Sequence, residues 1–304
     1  MAPLRLATRS SPLALLQARW VAHALTDQGD GDGAVLVPLE SRGDREAAVP
    51  IEVLAGRGVF VTEIEQAVLD GRADAAVHSA KDLPSANPPA GLVLAAVPGR
   101  EDPRDALVGR PLADLHAGAL IATGSVRRRA QLAALRPDLG FSALRGNIAT
   151  RLGRVPAGGA VVVALAALMR LGLTDAVAEV LPPALMLPQV GQGALALRCR
   201  AGDEATRARL ALIDDAAAHR CLLAERAFLE RLGGGCDAPV GALATIGDCC
   251  APIHLEGLLA GRDGHVVLRR SAVGDDPLVL GRELATALIE QDGGALLAAG
   301  GPPA

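Results

Sequence analysis

A single lysine, Lys81, stands among the 30 Lys and Arg residues of this chain, and it sits beside an acid in "HSAKDLP", residues 78–84. The preceding "ADAAV" reads as a buried strand, so His78, Lys81 and Asp82 arrive at its C-terminal edge. That is where open α/β sheets collect ligands. A carboxylate there can balance a developing cation or pass a proton to a leaving amine. An ammonium beside it favours the ionised acid and can itself hold an anion. The bland alternative is a surface turn before Pro84. Residues 127–154 carry seven arginines against one acid, Asp138. Arg127, Arg128, Arg145 and Arg151 fall at strand ends and helix starts, with Ser125 and Asn147 beside them. The guanidinium fork matches carboxylates and phosphates, so these residues form a candidate anion site. Arg129, Arg136 and Arg154 read as a solvated helix face. Arg9 and Ser11 in "TRSS" make a second polar loop of the same kind.

The run "LGGGCDAPVG", residues 232–241, presents Cys236 directly after three glycines. A buried inert thiol suits so bare a loop poorly. A metal site with Cys249, Cys250 and His254 lacks the paired spacing of zinc sites, and no metal is expected. A reactive thiol used as a covalent attachment point fits best. No His or Asn context in the loop suggests a protease-like nucleophile.

These residues need elements to position them. "LRLAT" (4–8) reads as a strand followed by a Ser-capped, Pro-started helix at 10–25. Further strands are expected at 34–40, 73–80 and 92–97. A helix at 62–71 is expected to open on a capping pair, Thr62 and Glu65. After "REDPRDALVG" (100–109), read as a polar break, the alternation restarts with strands at 119–123, 141–146 and 160–165 and helices at 126–135, 147–154 and 166–171. The openings "LATRSSPLALLQA" and "IATGSVRRRAQLA" can be overlaid, which points to two similar α/β lobes. A helix at 216–232, strands at 240–246, 253–261 and 265–273 and a helix at 277–291 form a small α+β piece, with Asp263-Gly264 at a hairpin turn. The expected domains are 1–98 with a return segment 193–212, then 99–192, then 213–304. The glycine-flanked "AGRGVF" (55–60) reads as a mobile lid and "VGQGA" (190–194) as a hinge.

Composition narrows the function classes. The formal net charge is −4 and the chain has three Phe, one Trp and no Tyr. It therefore offers neither a general basic field nor base-stacking aromatics, and no nucleic-acid partner is expected. No apolar stretch is long enough to span a membrane. The opening residues lack the long apolar core of a secretion signal, so a cytoplasmic location is expected.

Seven motifs, in order, carry a resemblance: "LRLATRSSPLALLQA", "GVFVTEIEQAVLDGRADAAVHSAKDLP", "REDPRDAL", "GSVRRRAQL", "LRGNIATRL", "LPQVGQGAL" and "LGGGCDAPVG". From about residue 4 to 290 the chain resembles the porphobilinogen deaminase, or hydroxymethylbilane synthase, family. The resemblance implies two periplasmic-binding-protein-like α/β lobes plus a small C-terminal α+β domain. It implies a transferase that joins four porphobilinogen molecules head to tail with loss of four ammonia. It also implies a dipyrromethane cofactor held by a thioether to Cys236, with Asp82 as the catalytic carboxylate. By the same resemblance, Ser11, Lys81, Asp82, Ser125, Arg127, Arg128, Arg145 and Asn147 contact the cofactor. Arg9, Gln17, Phe60, Arg145, Arg151 and Arg170 contact substrate. A monomer is expected, with product passed to a cyclising synthase. Arg57 replaces a common lysine of the family, Gly124 a common hydroxyl residue, and Ala80 a bulkier residue of some relatives; none removes a required group. The rival class is a solute receptor of the periplasmic type, which shares the fold but would carry a secretion signal and need no loop cysteine. A ligand-sensing regulator would need a DNA-reading module, and none is visible.

Overall fold

The computed structural model describes residues 2–41, 43, 61–85, 89–233, 238–247 and 251–292. The expected lid, Phe60, Cys236 and the Cys249-Cys250 pair lie outside the described residues. Two compact units divide the chain, Met1–Glu101 with Ala194–His219, and Asp102–Gly193 with Arg220–Ala304.

The first unit is built on strands β1 (Leu4–Arg9), β2 (Ala34–Leu39), β3 (Ala75–Ser79), β4 (Leu92–Ala96) and β10 (Leu195–Arg200), ordered β2-β1-β3-β10-β4. β2, β1 and β3 are parallel, and β10 runs antiparallel between β3 and β4. Strand alternation sorts the side chains onto two faces. Leu4, Leu6, Ala75, Val77, Leu195 and Leu197 meet helix α1 (Pro12–Asp27) through Ala18, Val21 and Leu25. On the opposite face, Ala7 and Ala76 meet helix α2 (Thr62–Leu69) through Ile64, Ala67 and Val68. The expected capping pair at α2 does not form. Val61 takes the cap position without a side-chain bond, so Thr62 falls one place too late, and Glu65 turns into the protein instead.

The second unit repeats this plan. Strands β5 (Asp105–Gly109), β6 (Leu120–Ala122), β7 (Gly140–Ser142), β8 (Ala160–Ala164) and β9 (Val177–Leu181) are ordered β7-β6-β8-β5-β9. β7, β6 and β8 are parallel, and β5 is antiparallel to both its neighbours. The overlaid openings of the sequence become β1 with α1, and β6 with α3 (Val126–Leu135), in the same place in each sheet. Ser11 and Ser125 cap their helices alike, each hydroxyl accepting a backbone N–H at 3.4 Å. The polar break expected at 100–109 holds strand β5. Its apolar core is only Ala106-Leu107-Val108, too short to show a period. Leu107, Ile121 and Val162 face α3 with Leu132. Ala106, Val108, Ala122, Val161 and Val163 face α4 (Ile148–Leu152) and α5 (Leu165–Leu171). β5 ends on Gly109, at φ 115°, where a Cβ would stand 2.6 Å from the Gly159 carbonyl oxygen.

The C-terminal sheet is antiparallel, ordered β11 (Val240–Thr245), β12 (Ile253–Ala260), β13 (Val267–Gly274). After α6 (Glu204–Leu210), helices α7 (Ala216–Arg231) and α8 (Pro277–Glu290) supply Ala224, Phe228, Leu284 and Leu288 to its core. Ala130 and Leu187 pack on Leu258 and Ala260, which joins this sheet to the second lobe in one compact unit. Glu225 is fully buried, and its two oxygens accept the backbone N–H groups of Gly191 and Ala244 at 2.7 and 2.8 Å. Among the described residues no helix is long and apolar enough to cross a membrane.

Candidate active site

In the first unit β3 runs into a single 3-10 turn, Ala80–Asp82. Ala80 is buried and donates its N–H to the Ala194 carbonyl at 3.0 Å, and Leu83 closes the turn onto Ala80 at 3.2 Å. The turn is pinned from below, and Lys81 and Asp82 are left partly exposed. Arg9, the last residue of β1, brings Nη1 to 4.0 Å from Asp82 Oδ2. The "TRSS" strand end and the "KD" turn, read separately from the sequence, lie side by side. Gln17, expected to meet substrate, lies within hydrogen-bond reach of the end of β3. It is buried on α1, and its Oε1 accepts the Ser79 hydroxyl at 3.0 Å. Its spacing put it on the sheet-facing side of α1, where a polar residue must find an internal partner.

Beneath this turn lies a polar group of the α2 face. Arg198, on β10 opposite Ala76, is fully buried and donates from Nη1 to Glu65 Oε1. His78 Nε2 is 3.8 Å from the same oxygen. Burial first, and then the charges of Arg198 and Arg9, push the His78 imidazole down to about 3. It is neutral at any ordinary pH.

In the second unit, β6 is followed by Thr123, whose hydroxyl accepts the Ser125 N–H at 3.1 Å. Gly124 lies so close to the neighbouring strand end that a Cβ would sit 2.6 Å from the Leu144 carbonyl oxygen. Arg127 and Arg128 follow in the first turn of α3, and both turn into the protein. They are 2 and 6 % exposed and close on Asp105, the first residue of β5. Arg127 Nη2 reaches Asp105 Oδ2 at 2.8 Å, and Arg128 reaches Oδ1 from Nε at 3.0 Å and from Nη2 at 2.7 Å. Their other arms donate to the Leu187 and Val162 carbonyls at 2.6 and 2.9 Å. Gln192 Nε2 adds a bond to Oδ1 at 2.9 Å. Burial alone would raise the Asp105 pKa, but the two guanidinium charges and the Gln192 bond outweigh it and hold the carboxyl well below its usual range. The reason for the inward turn is parity. Asp105 shares the α3 face of the sheet with Leu107, so a buried acid waits where the helix starts.

The remaining arginines are nearer the surface. Arg145, beyond β7, is half-buried, with an enclosed Nη1 that has no hydrogen-bond partner among the described residues. Asn147 caps α4, its Oδ1 accepting from Thr150 N at 2.9 Å. Arg151 Nε donates to the Gly146 carbonyl at 2.8 Å, and Arg170 Nη2 to the Gly193 carbonyl at 2.7 Å. Sequence reasoning missed Asp105, Glu65, Arg198 and Gln192. The only signal was an acid or amide interrupting an otherwise apolar face, and that shows only once strand positions are known.

Residues 4–208 match the family model described as porphobilinogen deaminase, dipyromethane cofactor binding domain, and residues 219–290 match that of the porphobilinogen deaminase C-terminal domain. The chain belongs to the porphobilinogen deaminase family. A porphobilinogen deaminase of Roseiflexus sp. (strain RS-1) is 47 % identical over 303 residues, covering 97 % of this chain and 98 % of that one. One of Brevibacillus brevis is 43 % identical over 303 residues, covering 98 and 97 %. Among solved structures, lipoprotein Tp32 of Treponema pallidum aligns over 70 % of this chain and 90 % of its own, at 15 % identity and TM-score 0.43. The porphobilinogen deaminase match includes the "HSAKDLP" turn, both arginine-bearing strand ends and β10.

Proposed function

We infer that this chain is a hydroxymethylbilane synthase, a transferase that condenses four porphobilinogen molecules head to tail into linear hydroxymethylbilane and releases four ammonia. The observation that carries the reading is the family match over almost the whole chain, with Asp82 and Arg9 side by side at the strand ends.

The donor set fits a dipyrromethane cofactor, a group bearing several carboxylates. The enclosed Nη1 of Arg145, without a hydrogen-bond partner among the described residues, supports this fit, as do the hydroxyl of Ser125 and the partly exposed ammonium of Lys81. Ser11, Lys81, Ser125, Arg145 and Asn147 would hold its acetate and propionate groups, and Cys236 would anchor it. When bound, the group supplies a pyrrole carbon nucleophile on which the chain is extended. Arg127 and Arg128 keep further N–H groups beyond those given to Asp105, and through these they would reach a carboxylate while staying fixed in place. Asp82 would face pyrrole N–H groups and balance the positive charge that appears as ammonia departs. Arg9 beside it would bind a substrate carboxylate. Arg151 and Arg170 would bind the same groups on incoming or extended rings. The protein would act as a cytoplasmic monomer, and its linear product would pass to an enzyme that closes the ring.

Intact mass under denaturing conditions tests this reading. The parent should carry extra mass equal to two linked pyrroles, absent from Cys236→Ser. Incubation with porphobilinogen should add further pyrrole units to the parent. A parent that stays unmodified after that incubation refutes the reading.

A further inference from the structure

The Glu65–Arg198 pair has no part in the reaction as described, yet it lies on the sheet face that leads to Asp82. Ala7 of β1 pairs with Ala76 of β3, and Arg198 of β10 pairs with the same Ala76. Two residues further along β1 and β3 stand Arg9 and His78, on the same face by the two-residue period of a strand. Arg9, His78 and Arg198 therefore occupy neighbouring positions on the α2 side, and Glu65 enters this row from α2. Its carboxylate is bonded to Arg198 and stands 3.8 Å from His78. With His78 neutral, the row holds two cations, Arg9 and Arg198, against two anions, Asp82 and Glu65.

We propose that Glu65 is a positioning residue for the chemistry at Asp82, acting through Arg198: its buried carboxylate takes up the Arg198 charge, which is then not shared with Asp82. This rests on reading Asp82 as the group that balances the cation formed on loss of ammonia. A carboxylate serving two guanidiniums has less field to offer a third, transient cation. Arg198 cannot shed its proton and is too deep for water to screen it. Without Glu65 its charge would oppose the substrate cation. His78 separates the two arginines without adding charge of its own.

The test compares kcat and KM of the cofactor-loaded enzyme in Glu65→Gln, Arg198→Gln and the double variant. Both single changes break the same ion pair, so a purely structural role makes them lose activity alike. Charge balance separates them. Glu65→Gln leaves a bare buried cation and should lower kcat about tenfold or more with little change in KM. Arg198→Gln should retain at least about ten times the kcat of Glu65→Gln, and the double variant should recover most of what Glu65→Gln loses. Equal losses in the two single variants, or a double variant no better than Glu65→Gln, overturn the proposal. If Glu65→Gln does not fold, Arg198→Gln and the double variant decide. Both active supports charge balance, and either one inactive while folded refutes it. Asp82→Asn in the same series separates the premises. Normal kcat there removes the reading of Asp82, whatever the Glu65 series shows.

Discussion

Asp105→Asn is the sharpest probe of the second unit. The amide keeps the shape of the carboxylate and removes its charge. Four hydrogen bonds from Arg127, Arg128 and Gln192 end on that carboxylate. The variant leaves two guanidiniums buried with no anion, and one amide N–H₂ pointed among donors. Removing one partner of a buried ion pair costs about 3–5 kcal/mol. Because one carboxylate here serves two arginines, the upper part of that range, about 4–5 kcal/mol, is expected. Set against a typical stability of about 5–15 kcal/mol, this is about a quarter of the total or more. Hydrogen exchange of peptides covering β5 and β8 measures it directly. Trp20, the only tryptophan, lies in the first unit and gives a fluorescence reference there. The pH dependence has a fixed sign. The folded carboxyl is held below its unfolded value, so its contribution is present above the unfolded pKa of about 3.9 and is lost as pH falls through the folded value. The gap between parent and variant should therefore be flat from neutral pH to about 5 and shrink below about 4. A loss under about 1 kcal/mol, or a gap that does not narrow in acid, would refute the assignment of Asp105 as the anion that holds Arg127 and Arg128 inward.

Asp82→Asn should fold and load cofactor, yet turn over at least about a hundredfold more slowly, since a preorganised charge at a developing cation is worth that much; steady-state product formation checks it. Cys199 is buried, and burial with the nearby Asp203 charge raises its pKa, while Cys221 is also buried. Native labelling with a maleimide should leave both unmodified, and mass mapping of labelled peptides would show any exception. Gly109→Ala places a methyl at a positive φ against the Gly159 carbonyl, and should cost about 1–3 kcal/mol in urea denaturation.

The sequence made the repeated strand–helix openings legible because each ends a short apolar strand with a small polar turn and a capping serine. The "HSAKDLP" turn was legible for a different reason, a lone lysine beside an acid at a strand end. What stayed hidden was the inner half of each site. Arg127 and Arg128 read as forks for a ligand carboxylate because they stand at the start of α3, and nothing local shows that the protein supplies a carboxylate of its own. Their partner Asp105 lies in a strand with only three apolar residues, and a local pattern cannot show that such a strand enters the middle of a sheet. Glu65 looked like a cap because Thr62 stands three residues before it, and Arg198 lies over a hundred residues away in the chain. Pairings between strands so distant in sequence leave no local period to read.

The position of β10 also bears on the order in which the protein can assemble during synthesis. About 100 residues separate the end of β4 from the start of β10, yet β10 is the strand that lies between β3 and β4. As the first unit leaves the ribosome, its sheet is therefore missing a central member. At ~5–20 residues per second it waits some 5–20 s for that member to arrive. Through that interval β3 and β4 present unpaired edges, and Glu65 has no arginine to meet. The five strands of the second lobe arrive without interruption and can close first. The first sheet to be started can thus close only after that of the second lobe, and aggregation or chaperone capture of nascent chains should concentrate on its open edges.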